Sequence, residues 1–126
     1  MVKIAYFDGG LKNKRMTYGW ILLEDGIEIA KDSGTFYHKK TTANMAEYQA
    51  FLELVQYLSA NNISDVLIYG DSQTVCFQLT GKRKTKAPHL KDKQKEIKNH
   101  LDQIPKYSIT WLPGKDNIAD RLTRGV

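Results

Sequence analysis

Two apolar runs joined by a helical stretch constrain this chain more than any other feature. Val2 to Phe7 is nearly continuous in apolar residues, as in a central strand buried on both faces. Asp65 to Tyr69 is a second strand-like run. Between them Thr41 or Thr42 offers an N-cap. Ala46, Ala50, Phe51, Leu54, Val55 and Leu58 then recur at spacings of three and four, which predicts a helix to about Ala60, ended by Asn61-Asn62. A strand–helix–strand connection of this kind makes the two strands a parallel pair.

The remaining elements follow from the same patterns. Thr17 to Leu23 reads as a strand, Glu24-Asp25-Gly26 as a tight turn, and Ile27 to Tyr37 as a third strand with a bulge at Gly34. Asp71-Ser72 caps a short helix through Leu79, and Thr80 to Pro88 is a basic loop. His89 to Ile104 is helical, with Leu90, Ile97, Leu101 and Ile104 as its apolar stripe, and Pro105 stops it. Tyr107 to Leu112 is a fifth strand, Pro113-Gly114 a turn, and Asp116 to Thr123 a short final helix. The order βββαβααβα predicts an α/β fold. Its five-stranded mixed sheet has strands 1–3 antiparallel, strands 1, 4 and 5 parallel, and helices on both faces. The 126 residues suit a single domain over 1–126.

Charge narrows the partners. From Lys82 to Lys98 eight bases stand against two acids, a local +6 in a chain whose formal net charge is +5. Such a field attracts polyanions, although a solvated helix face carries the same pattern. The lone cysteine, Cys76, cannot form an internal disulfide and fits a reducing compartment. No segment approaches the roughly 20 apolar residues of a membrane span. These features predict a cytoplasmic protein without membrane association, and a monomer.

Four acids carry the chemistry. Asp8 and Asp71 each follow an apolar run, so both belong at the carboxyl edge of the sheet, where ligands of open α/β sheets gather. Glu47 lies early in the long helix and Asp120 near the C-terminus. Converging, they would form a cage of oxygen ligands suited to two Mg²⁺ ions, with Mn²⁺ as a substitute. Each acid also has an ordinary reading: Asp71 as an N-cap, Asp8 as a turn residue, Asp120 as a partner of Arg121 or Arg124. Trp20 and Trp111 fall inside apolar strand patterns and read as core or sheet residues rather than base-stacking platforms. His38, His89 and His100 read as surface residues.

Four segments in this order resemble type 1 ribonuclease H over essentially the whole chain. They are Tyr6-Phe7-Asp8-Gly9-Gly10, Thr42-Ala43-Asn44-Met45-Ala46-Glu47, Gly70-Asp71-Ser72-Gln73 and Asn117-Ile118-Ala119-Asp120-Arg121-Leu122. The resemblance implies a ribonuclease H-like fold. It implies endonucleolytic hydrolysis of the RNA strand of RNA–DNA hybrids, leaving 5′-phosphate and 3′-hydroxyl ends. It implies Asp8, Glu47, Asp71 and Asp120 as catalytic metal ligands. Asn44 and Gln73 match positions that contact the hybrid's minor groove, where 2′-hydroxyls distinguish RNA from DNA. Thr42 matches a phosphate contact on the DNA strand, and helix capping is its other reading.

The chain departs from the family pattern in three places. A glycine-rich turn after the first acid is replaced by Leu11-Lys12-Asn13-Lys14-Arg15, which keeps Asn13 for a phosphate. Lys115 stands where many members carry a histidine; an ammonium neutralises a leaving phosphate but is a poor base near neutral pH. The segment Gly81 to Leu90 is too short for the basic handle of some members, so the chain resembles the compact form. In it Lys82, Arg83, Lys84 and Lys86 remain as candidate backbone contacts. The alternative is a non-catalytic module binding RNA–DNA hybrid or duplex RNA. A transposase or junction resolvase of the same fold group would need further domains or a dimer interface. A proofreading exonuclease would want Asp-x-Glu where Asp8-Gly9-Gly10 stands.

Overall fold

The computed structural model describes residues 2–125. Its strands are β1 (Lys3–Lys12), β2 (Arg15–Glu24), β3 (Ile27–Phe36), β4 (Asp65–Gly70) and β5 (Lys106–Trp111). Its helices are α1 (Ala43–Ala60), α2 (Gln73–Leu79), α3 (Pro88–Leu101) and α4 (Asp120–Arg124), with a 3-10 turn at Gly114–Asp116. The strands form one sheet in the order β3-β2-β1-β4-β5. β1 and β3 flank β2 antiparallel, and β4 runs parallel to both β1 and β5, which is the predicted mixed sheet.

β1 is longer than its apolar run. It continues through Gly9 and Gly10 to Lys12, so Asp8 sits inside the strand rather than after it. The ladder explains this: Gly9 pairs with Tyr18, Gly10 with Thr17 and Lys12 with Arg15. The glycines serve close approach, not a turn. A Cβ on Gly9 would overlap the Ala46–Glu47 peptide of α1. The turn comes at Asn13-Lys14, both left-handed (φ 52° and 64°), as a two-residue hairpin between twisted strands requires. Asp25 and Gly26 repeat that geometry between β2 and β3.

The predicted bulge at Gly34 is not there. Gly34 pairs regularly with Tyr18, and the register shifts instead at Leu22/Leu23. Gly34 is needed because the Tyr18 ring lies on it: an added Cβ would sit 2.9 Å from the phenol oxygen.

Helices cover both faces of the sheet. On one, Phe7 meets Phe51 edge-on and Trp20 meets Tyr57, each pair of ring centroids 4.7 Å apart. Leu90, Ile97 and Leu101 of α3 complete that core. Ile104 is also buried there, but it lies beyond α3, which ends at Leu101. α3 starts at Pro88, where a missing N–H costs nothing. On the other face Gly19 lies against Leu122 of α4, with Ile21 and Ala119 fully buried. The predicted helix from Asp116 to Thr123 is split. The 3-10 turn ends at Asn117, which is extended, and α4 begins at Asp120. Trp20 is core, but Trp111 is 36% exposed on edge strand β5. The three histidines are half-buried rather than free on the surface. Among the described residues no helix is long and apolar enough to cross a membrane.

Candidate active site

The register of the parallel pair builds the site. Phe7 pairs with Gly70, so the next residues, Asp8 and Asp71, emerge side by side. α1 crosses above Gly9 and brings Glu47 down onto them. One carboxylate oxygen from each of Asp8, Glu47 and Asp71 lies within 4.8 Å of the others. Asp8 and Glu47 are buried, and Asp71 is half-buried. Asp71 is not the cap of α2: the Ser72 hydroxyl accepts from Val75 N at 3.2 Å, which leaves the Asp71 carboxylate free for the site.

Polar groups hold the three acids in place. The Gly9 N–H donates to Glu47 Oε1. The Thr123 hydroxyl reaches Asp8 Oδ2 at 3.1 Å and Asp120 O at 2.9 Å. Asn117 is the central brace. It is 4% exposed, and its Nδ2 donates to Phe7 O (2.9 Å) and Asp71 Oδ2 (3.2 Å). Its Oδ1 accepts from Ala119 N at 3.1 Å. One amide thus ties β1, Asp71 and the approach to α4 together.

Asp120 stands beside this trio rather than in it. Its carboxylate pairs with Arg124 one turn along α4. It is still close enough to push the Asp8 pKa upward. Burial, then the Asp71 charge, raise Asp8 from 3.8 to about 7, and the Thr123 hydrogen bond offsets part of this. Glu47 is raised well above 4.5, first by burial and then by Asp8 and Asp71. Among the described residues no lysine or arginine pairs with Asp8, Glu47 or Asp71. Three close carboxylates, two buried and one half-buried, without a basic partner fit a divalent cation, and an all-oxygen donor set fits a hard one. The Cys76 thiol, pushed up to about 12 by burial and then Glu47, adds no thiolate to the set.

The other predicted site residues spread around this centre. Thr42 caps α1, its Oγ1 accepting from Met45 N at 3.0 Å; the hydroxyl proton stays free. Asn44 is half-buried in the first turn of α1, and Gln73 is exposed at the start of α2. Asn13 forms the exposed β1–β2 turn, in a groove with Lys12, Arg15, Thr17 and Arg124. Lys82, Arg83, Lys84 and Lys86 are exposed between α2 and α3, where no further helix intervenes. Arg83 bonds Thr74 Oγ1 at 3.0 Å. Lys115 lies in the 3-10 turn and lines a groove with Asp71, Asn117 and Asp120.

Sequence reading assigned no role to Asn117 or Thr123. The one available signal was their place beside Asp120. Asn117→Ala would leave the Phe7 carbonyl and the Ala119 N–H without partners. It is expected to cost about 1–3 kcal/mol, read as a lower denaturant midpoint in EDTA. An unchanged midpoint would show that the brace carries no stability.

A sheet of this order, with acids at the end of its central parallel pair, matches the ribonuclease H-like fold that the resemblance implies. A family model described as reverse transcriptase-like matches residues 6–123. The chain is 33% identical over 116 residues to ribonuclease HI of Halobacterium salinarum, covering 90% of this chain and 57% of that protein. It thus spans little more than half that relative's length. The crystal structure of RNase H1 from the same halophilic archaeon superposes with a TM-score of 0.90 at 32% identity, covering 98% of this chain and 96% of that one. LC11-RNase H1, solved in complex with an RNA/DNA hybrid, gives 0.89 at 25% identity over 98% and 95% of the two chains. The chain belongs to the type 1 ribonuclease H family.

Proposed function

We propose that this protein is an endonuclease that hydrolyses the RNA strand of RNA–DNA hybrids, with 5′-phosphate and 3′-hydroxyl products. The observation that carries this reading is the clustered trio Asp8, Glu47 and Asp71 in a chain of this family. The hybrid bound by LC11-RNase H1 supports the substrate class. In the same reading residues 1–126 act as one catalytic domain, as a monomer in the cytoplasm.

Asp8, Glu47 and Asp71 would hold Mg²⁺ or Mn²⁺, with Asp120 contributing from the rim to a second ion. Such ions, when bound, lower the pKa of a coordinated water and neutralise charge on the attacked phosphate. The chain's own part is placement. Gly9 N–H fixes Glu47, Thr123 steadies Asp8, and Asn117 holds Asp71 against β1. Lys115 and Arg121 line the groove beside Asp71 and Asp120, where they attract phosphate. Asn44 and Gln73 face the minor groove, Thr42 and Asn13 take phosphates, and Lys82, Arg83, Lys84 and Lys86 hold the DNA strand.

The test is cleavage of an end-labelled RNA–DNA hybrid in Mg²⁺ and, separately, Mn²⁺, beside duplex RNA, duplex DNA and single-stranded RNA. Cutting confined to the hybrid's RNA, and lost in Asp71→Asn, is the expected result. Salt-sensitive hybrid binding without cutting in either metal would replace this reading with a non-catalytic binding module.

A further inference from the structure

A second surface adjoins the acids, and the hybrid-cleaving reading uses only its cations, Lys82 and the neighbouring Arg83, and not its aromatic side chains. α2 and β5 enclose a groove lined by Phe77, Thr80, Lys82, Ile109 and Trp111. Ile109 and Trp111 are two residues apart on β5, so both face α2. β5 is the sheet's edge. The Trp111 ring is partly open to solvent, yet its position is fixed: Nε1 donates to the backbone carbonyl of Asp71 at 3.0 Å. Phe77 carries two cations, with Lys82 Nζ 5.7 Å and the Arg83 guanidinium 5.5 Å from its ring centroid.

This combination has a specific chemistry. An anchored indole that is 36% exposed offers a stacking platform, and the neighbouring ammonium and guanidinium groups favour a polyanion. Together they fit unpaired nucleotides of a single strand, because every base has a stacking face and every linkage a charge. A protein segment docking on the β5 edge would find these same cations unmatched unless it were acidic. We propose that the α2–β5 groove, with Trp111 as platform and Lys82 and Arg83 as phosphate contacts, binds a single-stranded tail extending from the hybrid. The inference rests on the hybrid-binding reading above. It adds that junctions between hybrid and single strand are held more tightly than blunt hybrids. Trp111 bonds the backbone carbonyl of Asp71, whose carboxylate belongs to the site, so a tail on this platform lies beside the acids.

The protein reports on this groove by itself. It has two tryptophans, and Trp20 is buried in the core at 4% exposure, so Trp111 is the one a ligand can quench. Blunt hybrid and hybrids with a DNA tail or an RNA tail would be titrated in EDTA, following tryptophan fluorescence and, separately, anisotropy of labelled nucleic acid. The tail is expected to quench the fluorescence and tighten binding roughly 10-fold, the scale of one stacked base. Trp111→Phe is expected to keep most of that gain and Trp111→Ala to lose it. Failure of any hybrid to bind would overturn the parent reading. Binding of blunt hybrid with no gain from either tail, or an equal gain in Trp111→Ala, would overturn this proposal alone. The two tail chemistries show which strand the groove takes.

Discussion

Glu47→Gln is expected to abolish hybrid cleavage while raising the melting temperature of the cation-free protein. Glu47 is buried for a simple reason: α1 lowers it onto Gly9, whose missing side chain makes the approach possible. Its ionised form meets Asp8 and Asp71 in a poorly solvated space. An amide of the same shape keeps an acceptor for the Gly9 N–H and removes that repulsion. The folded state therefore gains, and the cation site loses a ligand. Removing even an outer-shell partner of a metal ligand typically costs about 10–100-fold, so loss of a ligand itself should exceed about 100-fold. Cleavage rates, and thermal melts in EDTA and in Mn²⁺, read both effects. In the wild-type chain Mn²⁺ should raise the melting temperature; in Glu47→Gln that rise should shrink or vanish. A variant that cuts normally, or melts lower in EDTA, would show that Glu47 is a structural acid.

Some of this architecture is legible in the residues and some is not, for physical reasons. The α1 stripe and the apolar runs of β1 and β4 carry their own periods, so the crossover and the parallel pair follow directly. Gly9-Gly10 misleads, because glycine serves a turn and a close backbone approach equally, and only the packing of α1 decides between them. Gly34 misleads in the same way: it makes room for Tyr18 and leaves the ladder regular. The acids Asp8, Glu47 and Asp71 are legible from their places relative to strands and helix. Asn117 and Thr123 are not. Their bonds reach Phe7 and Asp8 across 110 and 115 residues of chain, and a polar residue near a short helix has the same local signature whether or not it braces anything. Trp111 is legible as a sheet residue but not as an exposed one. It does lie in a strand, but at the edge of the sheet, and strand periodicity does not tell edge from centre.

Raising the pH from about 4 toward neutrality should destabilise the cation-free protein, and divalent cations should reverse that trend. Asp8 titrates near 3.8 when unfolded but at about 7 in the folded chain, and Glu47 is displaced upward from 4.5 for the same causes. Well below about pH 4 both groups are protonated in either state and cost nothing. Between the unfolded and folded values the folded chain binds more protons, so unfolding free energy falls as pH rises. The loss is complete once pH exceeds the folded values. It is on the order of a few kcal/mol, since each unit of displacement is about 1.4 kcal/mol. Glu53, raised by burial and then Asp32, adds to the slope. His38 acts oppositely: its lowered value, from burial and then Lys93, penalises acid conditions. Asp8→Asn isolates the site, because it removes the Asp8 proton and leaves Glu53 and His38 in place. Denaturant midpoints in EDTA across this range should fall steeply for the wild-type chain and less for Asp8→Asn. With saturating Mg²⁺ the wild-type midpoint should rise with pH instead, because cations bind the ionised acids and compete with protons. A wild-type profile in EDTA identical to that of Asp8→Asn would mean that Asp8 ionises freely in the folded chain, and that the acidic trio is not poised for a cation.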